Sequence, residues 1–214
     1  MKILIASDLH GSAEYCRQLL EAFTKEKADK MLLLGDILYH GPRNDLPEDY
    51  SPKSVLEQLE TVKDKVICAQ GNCDAEIDTC LLPFPVVSTF GVIFTDGLEI
   101  YFAHGHRDVP PLKKGDIYLS GHTHVPVNEV VDGYYHLNPG SVSLPKENTR
   151  HGYIIYEDKK FVFKDFEGAA YDELEIIEKE ETLQEVPPLS AAENKPTAVR
   201  RPQIIRRKII VKRK

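Results

Sequence analysis

Three short, mostly apolar runs in the first half of the chain are each followed by polar side chains that can bind a metal ion. The runs, with the polar residues after them, are 3–6 with Asp8 and His10, 30–34 with Asp36, and 65–69 with Asn72. Nearly continuous apolar runs of this length are typical of strands buried on both faces of a parallel sheet. The carboxyl ends of such strands lie along one edge of the sheet, so we expect these polar groups to converge there.

Helical segments separate these runs. Ser12 can cap a helix that runs to about Glu26, and a second helix is predicted at 54–62. The alternation of strands and helices at this spacing predicts βαβ units with right-handed connections and a parallel sheet. Asp8 and His10 are two residues apart, so in extended backbone their side chains point the same way and can meet at one point.

Strands without long helices are predicted in the part of the chain that follows. Asp-Gly dipeptides at 96–97 and 132–133 separate strand-like segments and favour tight hairpin turns. The second strand of the first hairpin is followed by His104, and a further strand-like segment at 116–119 is followed by the triplet 122–124. The predicted body is therefore an α/β fold that closes near Phe166.

The strand ends together offer two carboxylates, one carboxamide and four imidazoles. They are Asp8, His10, Asp36, Asn72, His104, His122 and His124. Carboxylate oxygen and imidazole nitrogen suit divalent cations, and this set is too large for a single ion with an open position. It suits two ions about 3.5–4 Å apart with one shared carboxylate. A structural zinc site is disfavoured, because such sites usually hold one ion in four ligands rich in thiolate.

The order and spacing of five short motifs resemble those of a known enzyme family. The motifs SDLHG, LLLGD, GNCD, HGH and GHTH, spread over residues 1–166, resemble those of the calcineurin-like metallophosphoesterases. The stretches GDILYHGPRN and NPGSVSLPK and the GNCD variant are most similar to the small bacterial YfcE-type phosphodiesterases. The resemblance implies an α/β fold, a four-layered αββα sandwich of two mixed β-sheets flanked by helices, and hydrolysis of phosphodiester bonds.

The resemblance also implies a role for each metal-binding residue. One ion is expected at Asp8, His10 and His124, and the other at Asn72, His104 and His122, with Asp36 bridging the two. Two divalent ions per chain follow, with Mn²⁺ preferred and Mg²⁺, Zn²⁺, Fe²⁺ or Ni²⁺ as alternatives. Such ions lower the pKa of a bridging water, so that hydroxide can attack the phosphodiester in line.

The position after the motif asparagine departs from the wider family, in which a histidine is common there. Here it is Cys73, whose thiol is a poorer general acid than an imidazole near neutral pH. Asn72, Cys73 and His106 are the candidate catalytic residues, and His40 and Cys73 are candidates for substrate contact. His106, His40 or a metal-bound water could protonate the leaving group. A nucleophilic Cys73 is disfavoured, because its sequence neighbours offer no activating base.

Charge is unevenly distributed along the chain. Residues 200–214 carry eight basic side chains and no acidic one, so the net charge of −7 leaves −15 on residues 1–199. We predict a metallophosphoesterase domain at 1–168 and a charged extension at 169–214, made of an acidic segment, a proline-containing linker and the basic end. The acidic segment at 171–185 fits either a helix or a strand, and the linker composition fits disorder. The basic end fits a disordered extension, a nucleic-acid contact or a protein contact, including one with the acidic body.

Several classes of function stay open as alternatives. A phosphomonoesterase or a nuclease could use the same centre, although an acidic body disfavours a nuclease unless the tail supplies a basic surface. A non-catalytic interaction scaffold is disfavoured, because every metal-binding position is kept. The chain has no apolar stretch of membrane-spanning length, and its four cysteines lack C-x-x-C spacing, so we expect a cytoplasmic protein with reduced thiols and no membrane contact. A small phosphodiester is the expected substrate, and the resemblance is compatible with a homo-oligomer.

Overall fold

The computed structural model describes residues 1–179 and 208–212. Its strands are β1 (Ile3–Ala6), β2 (Lys30–Leu33), β3 (Val66–Ala69), β4 (Val86–Val87), β5 (Gly91–Thr95), β6 (Leu98–Phe102), β7 (Ile117–Leu119), β8 (Pro126–Val131), β9 (Tyr134–Pro139), β10 (Gly152–Glu157), β11 (Lys160–Asp165), β12 (Ala170–Lys179) and β13 (Lys208–Lys212). Its helices are α1 (Ala13–Glu26), α2 (Pro52–Glu60) and α3 (Glu76–Leu81), with a 3₁₀ helix at Lys63–Lys65. None of the helices in these described ranges is long and apolar enough to cross a membrane.

Two mixed sheets organise the described residues. The larger has eight strands in the order β13-β12-β11-β10-β1-β2-β3-β4, parallel from β1 to β4 and antiparallel from β1 to β13. The smaller has five strands in the order β5-β6-β7-β9-β8, with parallel pairs on both sides of β7. This architecture confirms the predicted α/β sandwich of two mixed β-sheets with helices.

The two faces of the larger sheet are covered differently. On strand β1, Leu4 belongs to a core shared with α1 and α2, whereas Ile3 and Ile5 belong to a core shared with the smaller sheet. Successive strand residues point to opposite faces, so both faces of β1 are buried. Every residue in it is apolar for this reason. The continuous apolar run seen in the sequence is the consequence of this double burial.

Helix α1 has the predicted bounds. Ser12 caps it, because its Oγ accepts a hydrogen bond from the Tyr15 N–H at 3.2 Å. Its buried side chains, including Leu19 and Phe23, pack on the larger sheet. Helix α2 begins and ends two residues earlier than predicted. Pro52 is well accommodated in its first turn, where the missing N–H has no partner to lose.

The larger sheet continues past residue 168, the predicted domain boundary. The acidic segment, for which helix and strand were both open, is a strand as far as it is described, with Leu174 and Ile176 in the core between the sheets. Lys160 Nζ on β11 lies 2.8 Å from Glu173 Oε2 on β12. The backbone of β13 then pairs antiparallel with that of β12. The predicted proline-containing linker lies outside the described residues.

Candidate metal centre

The loops after β1, β2, β6 and β7 meet at one edge of the sandwich. The backbone N–H of Asp8 donates to the Gly35 carbonyl at 3.1 Å, and the N–H of His10 donates to the Asp36 carbonyl at 2.9 Å. The Gly121 N–H, beside His122, donates to the His104 carbonyl at 2.9 Å. The predicted convergence of strand ends is therefore built by backbone hydrogen bonds between the loops.

Asp8, His10 and His124 form the first cluster of possible ligands. The Asp8 Oδ1 atom lies 3.5 Å from His10 Nε2 and 3.3 Å from His124 Nε2. The two Nε2 atoms lie 3.1 Å apart. All three side chains are buried, so water does not screen these groups from one another.

Asp36 lies between this cluster and a second one. Its Oδ2 atom is 3.7 Å from His10 Nε2 and 3.3 Å from His104 Nε2. Asn72 places its Oδ1 atom 3.1 Å from the same His104 nitrogen. The ring of His122 lies 5.1 Å from the ring of His104, centroid to centroid, on the solvent side of the cluster.

Hydrogen bonds to backbone carbonyls determine which ring nitrogen of each buried histidine is free. His10 Nδ1 lies 2.8 Å from the Tyr39 oxygen, His104 Nδ1 lies 2.6 Å from the Leu34 oxygen, and His124 Nδ1 lies 2.7 Å from the Leu144 oxygen. A carbonyl oxygen only accepts, so each Nδ1 carries a proton and donates it. In the neutral form of each ring, which is the form that binds a metal, Nε2 keeps its lone pair, and it points at the carboxylates.

These residues fit a divalent metal on evidence independent of any family. Ligand atoms that each lie about 2.0–2.2 Å from one ion are about 3 Å apart, which matches the separations in the cluster. The Asp8 Oδ1 atom is buried and accepts no hydrogen bond from the described residues. Facing Nε2 lone pairs and an unpartnered buried carboxylate oxygen are both stabilised by a cation, and oxygen with imidazole nitrogen is a ligand set for divalent metals.

The backbone at this edge is strained. Five candidate ligands have left-handed backbone, namely Asp8 (φ 59°), His10 (φ 50°), Asp36 (φ 55°), His122 (φ 68°) and His124 (φ 63°). Each such conformation costs a residue other than glycine about 1–3 kcal/mol and persists only where the surrounding structure imposes it. Orienting these side chains toward a common point therefore costs folding free energy.

Comparison with known proteins agrees with this geometry. Residues 1–160 match the calcineurin-like phosphoesterase superfamily domain. The chain belongs to the calcineurin-like phosphoesterase superfamily. It is 42% identical over 162 residues to the phosphodiesterase YfcE of Escherichia coli K12, a match that spans 74% of this chain and 88% of YfcE. It is 28% identical over 153 residues to the phosphodiesterase MJ0936 of Methanocaldococcus jannaschii, which spans 65% of this chain and 83% of that protein.

A solved structure supports the same family at the level of the fold. The structure of YfcE, described as a phosphoesterase from E. coli, matches with a TM-score of 0.77 and 37% sequence identity, over 81% of this chain and 98% of that one. The predicted resemblance is therefore confirmed. The metallophosphoesterase fold implies divalent metal ions, and the clusters around Asp8 and Asp36 are where this phosphoesterase has groups to bind them.

Cys73 lies beside the clusters and is half-buried. Its N–H donates to Asp36 Oδ1 at 2.8 Å, and its Sγ accepts a hydrogen bond from Asn72 Nδ2 at 3.2 Å. Burial, with the nearby Asp36 carboxylate adding to it, raises the pKa of the Cys73 thiol to about 12. A thiol with this pKa is uncharged at neutral pH, which disfavours Cys73 as a nucleophile and as a proton donor.

His40 and His106, the two other candidates, stand apart from the Asp8 and Asp36 carboxylates. The His40 ring packs edge-on against the rings of Tyr39 and Tyr50, with centroids 4.7 Å and 5.2 Å away, and does not line the cleft over the clusters. His106 lies 5.4 Å from the His104 ring, and its Nε2 accepts a hydrogen bond from the Arg107 Nε–H at 3.1 Å. Burial and neighbouring positive groups lower the pKa of His106. The roles of both in proton transfer or substrate contact stay predictions.

A cleft of ≈ 690 Å³ opens onto the clusters. It is lined by Asp36, Tyr39, Gly41, Pro42, Arg43, Asn44, Asn72, Cys73, Ala75, His122, Thr123, His124 and Lys146. Its volume is within the range of about 300–1,000 Å³ found for small-molecule sites. The cleft therefore leads a ligand to the candidate ligand residues Asp36, Asn72, His122 and His124.

Sequence reasoning missed the structural role of Asp74. Its Oδ2 accepts hydrogen bonds from the N–H groups of Asp36 at 2.8 Å and Gly71 at 2.7 Å, and its Oδ1 accepts one from Ile37 at 2.8 Å. A side chain added at Gly71 would meet the Asp36 carboxylate. Asp74 thus fixes the turn that aims Asp36, and its place in the GNCD motif was the available signal.

The end of β9 and the segment after it support the loops of the centre in a similar way. Ser141 and Ser143 both donate hydrogen bonds to the Asp8 carbonyl, at 2.8 Å and 3.0 Å. Asn138 donates to the Gly121 carbonyl at 2.7 Å and to Thr123 Oγ1 at 3.1 Å. The NPGSVSLPK stretch therefore holds the two loops that carry Asp8, His122 and His124 in place, a role that its composition did not reveal.

Proposed function

We propose that the protein is a phosphodiesterase that uses two divalent metal ions. Asp8, His10 and His124 would hold one ion, Asn72, His104 and His122 the other, and Asp36 would contact both. The supporting observation is that three buried histidines, each fixed through Nδ1 to a backbone carbonyl, direct their Nε2 atoms at the carboxylates of Asp8 and Asp36.

The chain's own groups prepare this chemistry. Bound divalent ions activate a water molecule as nucleophile and neutralise charge on the phosphate. The hydrogen bonds at Nδ1 fix ring orientation and tautomer before any ligand binds, so no reorganisation is needed during the reaction. Asp74 holds the Asp36 turn, and the buried Asp8 keeps its carboxylate away from bulk water.

Cys73 supports a preference for diesters with good leaving groups. A buried thiol is a weaker acid than an imidazolium and transfers its proton poorly to a departing alkoxide. The aryl oxide of an aryl phosphodiester is a good leaving group and departs without that assistance. The similarity to the phosphodiesterases YfcE and MJ0936 supports the same substrate class.

The ligand set supports Mn²⁺ as the metal used. Carboxylate and carboxamide oxygens suit Mg²⁺ and Mn²⁺, whereas imidazoles suit Zn²⁺, Fe²⁺ and Ni²⁺, and Mn²⁺ is the hard cation among these that also accepts several nitrogens. We also propose a cytoplasmic location, which is supported by four cysteines that form no disulfide. Homo-oligomer formation and a macromolecular contact through the basic end stay predictions.

The test is hydrolysis of bis(4-nitrophenyl) phosphate beside 4-nitrophenyl phosphate. Protein stripped with EDTA would be reloaded separately with Mn²⁺, Mg²⁺ and Zn²⁺, and bound metal measured by mass spectrometry. Asp36→Asn is expected to lose metal and diester turnover. Asp132→Asn is the matched control, because Asp132 is an exposed turn aspartate with a similar left-handed φ of 48°. Tight binding of two metals without turnover of either ester would contradict the proposal.

A further inference from the structure

We infer that the cleft selects phosphodiesters that carry a second phosphate group, which Arg43 and Lys146 bind. The inference rests on the proposed function, because it concerns the substrate of the same centre. It starts from the charge of the cleft wall. The lining residues include these two cations, and Asp36 is the single acidic residue among them.

This local charge is opposite to that of the surrounding protein. Residues 1–199 carry a net charge of −15. By contrast, the charged residues of the cleft lining that are not proposed metal ligands, Arg43 and Lys146, are both cations. Both side chains are exposed, and within the described residues neither Arg43 nor Lys146 forms an ion pair. Their charges are thus available to a ligand.

Arg43 is carried by a loop that packs against the centre. Gly41 approaches Cys73 so closely that an added Cβ would lie 2.7 Å from its Sγ. Asn44 Nδ2 donates to the His40 carbonyl at 2.8 Å, which closes the turn around Arg43. The loop therefore places Arg43 in the wall of the cleft that Cys73 also lines.

Lys146 reaches the cleft from a different segment. Its backbone N–H donates to the carbonyl of His124 at 3.1 Å, which ties its position to a candidate metal ligand. The two cations thus come from two different loops, one after β2 and one after β9. Both residues line the same cleft, so one bound ligand can contact both.

Charge balance indicates what that ligand adds. With two divalent ions bound, the carboxylates of Asp8 and Asp36 and a hydroxide nucleophile would leave one positive charge, which a phosphodiester monoanion would neutralise. Arg43 and Lys146 add two positive charges that such a substrate leaves unmatched. A terminal phosphate supplies up to two negative charges, and guanidinium and ammonium groups are the side chains that bind phosphate. The cleft volume of ≈ 690 Å³ has room for a nucleotide-sized molecule.

A matched pair of substrates tests the inference. Thymidine 5′-(4-nitrophenyl phosphate) and its 3′-phosphorylated form share the reacting diester and the leaving group and differ by one phosphate. With Mn²⁺-loaded protein, we expect the 3′-phosphorylated substrate to have a kcat/KM at least about tenfold higher, mainly through a lower KM, since charge-assisted hydrogen bonds contribute that much. Thymidine 3′,5′-bisphosphate should likewise inhibit more strongly than thymidine 5′-monophosphate.

The variant Arg43→Gln with Lys146→Gln should reduce both preferences to near unity. Lys53→Gln with Lys113→Gln removes the same charge away from the cleft lining and should keep them. Equal kcat/KM for the two substrates in the unmodified protein, or a preference that survives the cleft variant, overturns the inference alone. Absence of turnover of every diester overturns the proposed function, and the inference with it.

Discussion

His10 Nε2 lies 3.1 Å from His124 Nε2, and the Nδ1 atom of each ring is hydrogen-bonded to a backbone carbonyl. When both rings are in the neutral form that binds metals, two Nε2 lone pairs face each other at this distance in a buried site. A cation between them and the Asp8 carboxylate would remove their repulsion. We therefore expect the centre to be more stable with metal than without it.

Metal should raise the thermal stability of the protein. At a free Mn²⁺ concentration about 1,000 times Kd, binding stabilises the fold by about 4 kcal/mol, which corresponds to about 10 °C in melting temperature for a chain of this size. Differential scanning calorimetry with EDTA and with Mn²⁺ measures the shift. His124→Gln should lose most of it. His151→Gln should keep it, since His151 bonds to Val142 and Tyr15 instead.

Asp74→Asn should weaken the centre without touching a proposed metal ligand. The variant loses at least one acceptor for the three N–H groups that hold the Asp36 turn, so we expect unfolding free energy to fall by about 1–3 kcal/mol and metal affinity to fall about 10–100-fold. Urea unfolding and metal titration by calorimetry measure the two effects. Asp78→Asn, which changes a carboxylate that accepts from the Ala75 N–H, is the control in the same segment. Unchanged metal affinity in Asp74→Asn would contradict the positioning role.

Substitution of Cys73 separates proton donation from nucleophilic attack. Cys73→Ser should lower turnover of an aryl diester by less than about tenfold, whereas loss of a true nucleophile costs about 10⁴-fold or more. Cys73→His should raise hydrolysis of alkyl phosphomonoesters by about 10- to 100-fold, and this gain should fade as pH rises above about 6.5, where the imidazole loses its proton. Steady-state rates from pH 5 to 9 provide the measurement. A loss of aryl turnover in Cys73→Ser as large as that of Asp36→Asn would refute this assignment.

Glu26 should make stability depend on pH. Its side chain is 10% exposed and accepts hydrogen bonds from Lys164 Nζ at 2.6 Å and from the Tyr153 hydroxyl at 3.2 Å. Burial raises the pKa of Glu26, but Lys164, Tyr153 and Lys2 outweigh it and the pKa is lowered overall. A lowered carboxyl pKa contributes stability above the unfolded pKa of about 4.3, and this contribution is lost as pH falls through the folded pKa.

Glu26→Gln should therefore lower the unfolding free energy at pH 7 by about 1–3 kcal/mol and flatten its decline below about pH 4.5. Denaturant unfolding from pH 3 to 7 measures both. Glu21→Gln, which removes an exposed partner of Arg17 on the same helix, should change stability by less than about 1 kcal/mol. Equal pH profiles for Glu26→Gln and the unmodified protein would contradict the prediction.

Leu174→Ala should show that β12 belongs to the folded domain. Leu174 is 1% exposed in the core between the sheets, so its truncation should cost about 2–5 kcal/mol. Val130→Ala, at a side chain that is 50% exposed, should cost less than about 1 kcal/mol. Urea unfolding compares the two. Similar small losses would indicate that the domain is complete without β12.

Periodicity in the sequence was sufficient where burial decides the structure. The strand runs, the N-cap at Ser12 and both Asp-Gly hairpins are confirmed, because each follows from local chemistry. The order of motifs also identified the family, which the match over residues 1–160 confirms. The pattern of residues could not predict how strands that are distant in the sequence pair, such as β1 with β10.

The sequence predicted that Asp8 and His10 converge, but the structure gives a different physical reason for it. Alternation in extended backbone suggested that Asp8 and His10 would converge, but both lie after the end of β1 in left-handed backbone. Their convergence depends on hydrogen bonds to Gly35 and Asp36 in the next loop. Tertiary contacts likewise give Asp74 its role, since Asp36 and Ile37 became its neighbours only through folding.

The position of β1 in the larger sheet sets when the centre can exist during protein synthesis. One edge of β1 pairs with β2, which leaves the ribosome soon after it, but the other pairs with β10, with Ile3 opposite Tyr156. The serines that hold the Asp8 carbonyl also emerge late, at positions 141 and 143. A nascent chain that already exposes SDLHG, LLLGD and GNCD therefore has several candidate metal ligands but lacks the later segments that hold Asp8 in place. We therefore expect metal acquisition to be a late event in the biogenesis of this protein, after translation of most of the domain.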